Sequence, residues 1–223
     1  MKSILLTLVT IISFSLLSIA QNVNIPDTKF KTKLLANKSL NKDANKLEIS
    51  IKEANDFADS LKLSSLEIES LVGIEAFTHL KYLDCNSNQL TTLDLSKNIA
   101  LISFDCSYNK IEKLTLPSTD ALIDFFCTDN ALTELNVSKV PKLQSIQCGS
   151  NKLVTLDVSN HYELTSLDCE KNELTSLNLL GCMELSNCIC IFNENLNCIK
   201  APAKLEKGDW IKDAHMTFSE TCK

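Results

Sequence analysis

Six cysteines recur every 21 residues along this chain: Cys85, Cys106, Cys127, Cys148, Cys169 and Cys190. A short fixed period restricts the chain to stacked copies of one small unit, because each unit is too small to bury its own apolar face and needs its neighbours. Other positions keep the same register. An asparagine follows each cysteine by three residues, giving Asn88, Asn109, Asn130, Asn151, Asn172 and Asn193. Two residues before each cysteine stands Leu83, Phe104, Phe125, Ile146, Leu167 or Cys188, and five before it a leucine, from Leu80 to Leu185. Positions four and six of each unit share one side of an extended chain, so each unit is expected to form a short parallel strand with these side chains inward. Leu93 and Leu95, with their equivalents, are expected to close the opposite side of each coil. The asparagine amide is expected to satisfy backbone groups of adjacent coils where the chain turns out of the strand.

The unit reads L-x-x-L-x-C-x-x-N-x-L-T-x-L-D-[LV]-S, clearest over Leu80–Ser96. It resembles a leucine-rich repeat with cysteine at the third leucine position. Two further segments, Asn24-Ile25-Pro26-Asp27-Thr28-Lys29-Phe30 and Gly73-Ile74-Glu75-Ala76-Phe77, make the chain similar to secreted bacterial leucine-rich repeat proteins of the Bacteroidetes–Flavobacteria type; Cys198, Trp210, Phe218 and Cys222 add to the likeness. The resemblance spans nearly all of the chain after residue 20. It implies an α/β-type repeat solenoid with short parallel strands, an N-terminal helical cap, a C-terminal cap and a concave strand face that binds.

Residues 1–20 read as a signal peptide. Lys2 supplies the positive start, Ile4–Leu17 the apolar stretch and Ser18-Ile19-Ala20 the cleavage site. The alternative, a membrane anchor, needs about 20 apolar residues, more than this run provides. The mature chain is expected to be secreted, periplasmic or on the cell surface, with no stable membrane insertion. Residues 21–57 form the N-terminal cap, with Asp27 capping a helix over Thr28–Leu35 and a second short helix around Ile51–Ala58. Residues 58–197 carry the repeats: one of 22 residues, five of 21 and one truncated. Residues 198–223 form the C-terminal cap.

Charge and composition exclude several functions. The formal charge is −6 and the chain has no arginine, which argues against nucleic acid and anionic membrane surfaces as partners. With four glycines there is no phosphate-cradling loop, and the three histidines are dispersed. The cysteine column is expected to be buried thiols acting as small hydrophobes. Neighbouring strands hold side chains about 4.8 Å apart, whereas a disulfide prefers Cβ atoms about 3.8 Å apart. A metal there would lack outer partners. Cys198 and Cys222 flank the C-terminal segment and are the expected disulfide, with Cys182–Cys188 a second candidate. A zinc set of Cys182, Cys188, Cys190 and Cys198 lacks the usual paired spacing. Asn41–Asn45 resembles the start of a calcium loop, but Lys46 replaces the required glycine and Glu53 falls one position late. No cofactor is expected, and the segment reads as a polar turn.

The candidate binding residues are Tyr82, Asp84, Asp105, Tyr108, Asp124 and Phe126, all outward on the strand side. Exposed aromatics beside polar groups suit contact with a protein or extended glycan. The expected function is that of an exported, non-enzymatic binding module. The alternatives are a structural or assembly protein of the cell envelope, and a hydrolase using Asp84 and Asp105, which successive strands would place about 5 Å apart. Ile189, Ile191 and Phe192 are expected to pack under the C-terminal cap.

Overall fold

The computed structural model describes residues 21–42, 47–203, 205 and 209–222; the expected signal peptide lies outside them. Each 21-residue unit makes one coil, and every coil adds a three-residue strand to a common parallel front sheet. Its strands are β1 (Ser60–Lys62), β2 (Tyr82–Asp84), β4 (Ser103–Asp105), β6 (Asp124–Phe126), β7 (Ser145–Gln147), β9 (Ser166–Asp168), β11 (Asn187–Ile189) and β13 (Asp209–Ile211), in that spatial order. Register is kept throughout: Leu83 pairs with Phe104, Phe104 with Phe125, and Phe125 with Ile146. These residues point inward into one continuous apolar core, where Phe104 and Phe125 stack with ring centroids 4.7 Å apart.

The back of the coil is more ordered than the leucine pattern alone predicts. β3 (Thr92–Asp94) pairs with β5 (Lys113–Thr115), and β8 (Thr155–Asp157), β10 (Ser176–Asn178), β12 (Cys198–Lys200) and β14 (Thr217–Ser219) form a second parallel ladder. The L-D-[LV]-S signature has a local cause here. The acid or amide accepts from the backbone N–H two residues on: Asp94 from Ser96 at 2.9 Å, Asn136 from Ser138 at 3.0 Å, Asp157 from Ser159 at 2.9 Å. This turn chemistry bends the chain out of the back strand. Among the described residues no back strand joins β5 to β8. The gap falls next to the unit in which Thr115 and Pro117 replace the acid and the serine, so this turn cannot form there and Pro117 has no N–H to donate.

At the N-terminal end, α1 (Thr28–Leu35) begins at Asp27, whose carboxylate accepts from Lys29 N–H at 3.0 Å and Phe30 N–H at 2.9 Å. The other carboxylate oxygen accepts from Glu69 N–H and Ser70 N–H, tying the helix to the first coil. Phe30 and Leu34 are fully buried in the solenoid core. α2 (Ile51–Asp56) starts at a reciprocal cap between Ser50 and Glu53. Gly73 has φ +104°, and a Cβ there would stand 2.9 Å from the Asn24 carbonyl oxygen, so the N-terminal strap crosses this point only over glycine.

Residues 198–222 do more than cover the last coil. β12 and β14 extend the back ladder, and β13 extends the front sheet beside β11. Cys198 and Cys222 are joined by a disulfide. Cys182 and Cys188 are both free thiols, which corrects the second pairing, and Cys198 is unavailable to the alternative zinc set. Replacing Cys198 and Cys222 together by serine should cost about 3 kcal/mol, the chain-entropy value for a loop of this size. Urea unfolding of the variant, compared with that of the oxidised parent, measures it; equal midpoints would show that the closed loop adds nothing.

Candidate functional site

The asparagine column stitches the coils together. Asn109 donates its amide to the carbonyls of Cys85 at 3.1 Å, Cys106 at 3.0 Å and Ser107 at 3.1 Å, while its oxygen accepts from Leu90 N–H at 3.0 Å. Asn130, Asn151, Asn172 and Asn193 repeat this pattern one coil at a time, and Asn88 makes it with the first coil. Each amide therefore bonds its own coil and the preceding one.

The residue just before each of these asparagines adopts left-handed backbone. Ser87, Tyr108, Asp129, Ser150, Lys171 and Phe192 have φ between 49° and 59°. None is glycine or asparagine, and only Asp129 is of a type that visits this region at all readily. The next coil holds the first five in place: Ser87 N–H donates to Ser107 O, Tyr108 N–H to Thr128 O, and Lys171 N–H to Ile191 O. Apart from Asp129, nothing in the residue types at this position signals the conformation; only the fixed offset from the asparagine does.

These turns decide where the candidate binding residues stand. Tyr82 and Asp124 occupy one outward row of the front sheet, with Ser103 between them. Asp84, Asp105 and Phe126 occupy the parallel row, in direct register. Tyr108 belongs to neither row, since it sits on the left-handed turn, 58% exposed. Tyr82 is 45% exposed, whereas Asp84, Asp105, Asp124 and Phe126 are half-buried. The six residues thus share one face but fall in three columns.

The paired carboxylates are engaged by their own loops. Asp84 accepts from Asn86 N–H at 3.2 Å and from the Asn86 amide at 2.7 Å; the same amide reaches Asp105 at 3.3 Å. Asp105 also accepts from Ser107 N–H at 2.8 Å, as Asp168 does from Glu170 N–H at 3.1 Å. These bonds make the acids turn-forming groups on an open sheet. Burial pushes the Asp168 carboxyl up, with its loop N–H opposing and Glu170 adding to the rise.

Phe192 corrects an expectation. It is 56% exposed rather than packed under the C-terminal segment, because its left-handed turn swings the ring outward and Asp213 accepts its N–H at 2.8 Å. Lys171 Nζ lies 5.9 Å from the ring centroid. Ile211, also exposed, continues the Ile189 row of the front sheet, so the last coils present an apolar patch that the repeat pattern did not reveal.

The six ladder thiols are fully buried and free. Burial pushes Cys85, Cys106, Cys127, Cys148 and Cys169 far above the ordinary thiol range, and Cys182 up to about 12 with Asp157 adding to the effect. Cys190 is the exception: its bond to Cys188 lowers it. A raised value means less thiolate at a given pH, and thiolate is the reactive form. Iodoacetamide at about pH 8 should therefore leave all six ladder thiols untouched until unfolding. Rapid labelling of Cys106 or Cys127 in the folded chain, read by peptide mass mapping, would contradict this burial. At the polar turn that begins like a calcium loop, Asn41 is buried and donates its amide to Leu35 O, closing α1, while residues 43–46 lie outside the described set. Among the described residues no cluster of three potential ligands could hold a metal ion, and no helix is long and apolar enough to cross a membrane.

The chain is a leucine-rich repeat solenoid, and solved structures of that class match it. The functional domain of InlJ from Listeria monocytogenes, a structure described as including a cysteine ladder, is similar at 28% identity and a TM-score of 0.68, over 89% of this chain and 46% of that one. This chain thus spans about half of that protein's solved length. Internalin C2 from Listeria monocytogenes matches at 17% identity and a TM-score of 0.55, over 91% and 99% of the two chains. The internalin InlF from the same organism matches at 18% and 0.53, over 92% and 74%. No protein-family model matches the chain, and no curated protein matches it in sequence.

Proposed function

We propose that this chain is an exported, non-enzymatic binding module that recognises a protein, or an extended glycan, through the outward face of the front sheet. The observation that carries the reading is an eight-stranded parallel sheet in unbroken register, with Tyr82, Tyr108 and Phe126 mounted on backbone held by hydrogen bonds. A rigid face spends little entropy on ordering when a partner binds. Leucine-rich repeat folds typically serve as protein-binding modules, and the internalin likeness supports the same use. Membership of the secreted Bacteroidetes–Flavobacteria type, with a signal peptide over 1–20 and caps at 21–57 and 198–223, belongs to this proposal. The engagement of Asp84 and Asp105 by loop N–H groups on an open sheet favours binding over hydrolysis.

Capture on the immobilised chain tests it, alongside a Tyr82→Ala, Tyr108→Ala, Phe126→Ala variant. A partner of this face should lose about 100-fold or more in affinity, since central aromatics contribute about 2 kcal/mol each. Equal capture by both proteins would overturn the reading. It would move recognition to the coil edges, the assembly role.

A further inference from the structure

We infer that β1, the first strand of the front sheet, is an addition site for one extended acidic peptide strand. This site is the outer edge of the same sheet, beside the aromatic face proposed above and distinct from its outward side chains. Among the described residues β1 has a sheet neighbour on one side only. Asp59 O accepts from Lys81 N–H and Tyr82 N–H, and Leu63 N–H donates to Asp84 O, so the odd-numbered residues turn their backbone groups toward β2. Parallel pairing alternates along a strand, so Ser60 and Lys62 turn their N–H and C=O groups away from β2. None of these four groups has a hydrogen bond among the described residues.

The free edge opens onto a groove. One wall is the end of α1 and the turn after it, through Lys33, Leu34, Ala36 and Asn37; the other is Asp59–Leu63. Phe30 and Leu34 already occupy the end of the apolar core, so a second solenoid cannot stack there, whereas a single strand can lie along the edge. Unpaired strand groups beside a groove are the substrate of strand addition, in which the main chain supplies affinity and alternate side chains supply selectivity.

The chemistry of the incoming strand follows from register. The outward row of the sheet runs Lys62, Asp84, Asp105, and its free end is the lysine. An outward side chain on an added strand would stand directly beside Lys62, where opposite charge stabilises and like charge repels. Lys33 is exposed on the far wall, so the groove carries two amines against the single carboxylate of Asp59, on a chain of net charge −6. The alternate side chains of the added strand face Ala36 and the leucines, which suits a small apolar residue. The pattern is therefore acid and small apolar in alternation.

A fluorescein-labelled octapeptide of alternating valine and aspartate, titrated with the full chain by anisotropy, tests this. Saturable binding is expected, weakened at least about tenfold by N-methylation of alternate peptide amides and by lysine in place of aspartate. Ser60→Pro removes one free donor without breaking a bond to β2 and should weaken binding similarly. Lys62→Glu, which leaves the backbone alone, should reverse the preference toward the lysine peptide. Absence of saturable binding up to about 1 mM would overturn the inference. So would indifference to N-methylation or to Lys62→Glu. Loss on the Tyr82, Tyr108, Phe126 variant instead would place the peptide on the aromatic face and overturn it as well.

Discussion

Replacing Asn151 by leucine should lower the unfolding free energy by about 4 kcal/mol, although the two side chains are close in size. Asn151 is buried and accepts from Leu132 N–H at 3.0 Å, while donating to the carbonyls of Cys127 at 3.0 Å, Cys148 at 3.1 Å and Gly149 at 3.2 Å. The carbonyls keep other donors: Asn130 on Cys127, Asn172 on Cys148, and Asp129 N–H on Gly149. The Leu132 amide keeps none, and an orphaned buried donor costs about 1–3 kcal/mol on top of the lost bonds. The defect also lies at a junction between coils, and a solenoid is held by such nearest-neighbour contacts. Chemical denaturation should show both a lower midpoint and a broadened transition. Asn136→Ala is the control, because that exposed asparagine only bonds its own turn at Ser138. A loss at Asn151 no greater than at Asn136 would refute the stitching role.

Gly181→Ala is the second large effect, about 3–4 kcal/mol, at the upper end for overpacking. A Cβ at Gly181 would lie 1.7 Å from the Ser159 carbonyl oxygen and 3.2 Å from the Tyr162 ring. The first contact is with backbone, which cannot rotate aside as a side chain would. Two coils would have to separate locally, near the buried His161 and Cys182. The thermal midpoint measures the cost, and an unchanged midpoint would show that the coils are looser here than the contact implies. The equivalent positions of other repeats, such as Lys97, Lys139 and Asn160, carry side chains, so nothing in the repeat pattern announces this requirement.

Position nine and position 18 show how far the sequence can be read. At Asn151 the amide recurs at a fixed offset from the cysteine, and the only unit it can reach is the one 21 residues away. Its role in bridging coils follows from periodicity. At Gly181 the constraint comes from how closely two particular coils approach. The same contrast separates the ends of the chain. Asp27 ahead of Thr28–Leu35 carries a local helix-start signal, and α1 has those bounds. Residues 198–222 lack the cysteine–asparagine register, yet their strands extend both ladders, because parallel pairing demands only an extended segment beside an open edge.

The candidate face divides in the same way. Position five lies outward by strand alternation, so the register of Asp84, Asp105 and Phe126 was open to sequence reasoning. Tyr108 stands outward as its repeat position suggests, but the backbone that holds it there was not legible, and neither was the exposure of Phe192. Their orientation depends on left-handed turns at residues that rarely adopt them, and hydrogen bonds from Tyr108 N–H to the next coil and from Phe192 N–H to the Asp213 carboxylate help fix the backbone there.

By itself, then, the 21-residue period determined the coil, its inward residues and the buried cysteine column, since each of these repeats a local pattern against a neighbour at known separation. Only the tertiary structure decided where the back ladder breaks, which outward side chains stand clear, and that the edge of β1 is left unpaired among the described residues. Those features arise where coils differ from one another, and a repeat pattern carries information only about what they share.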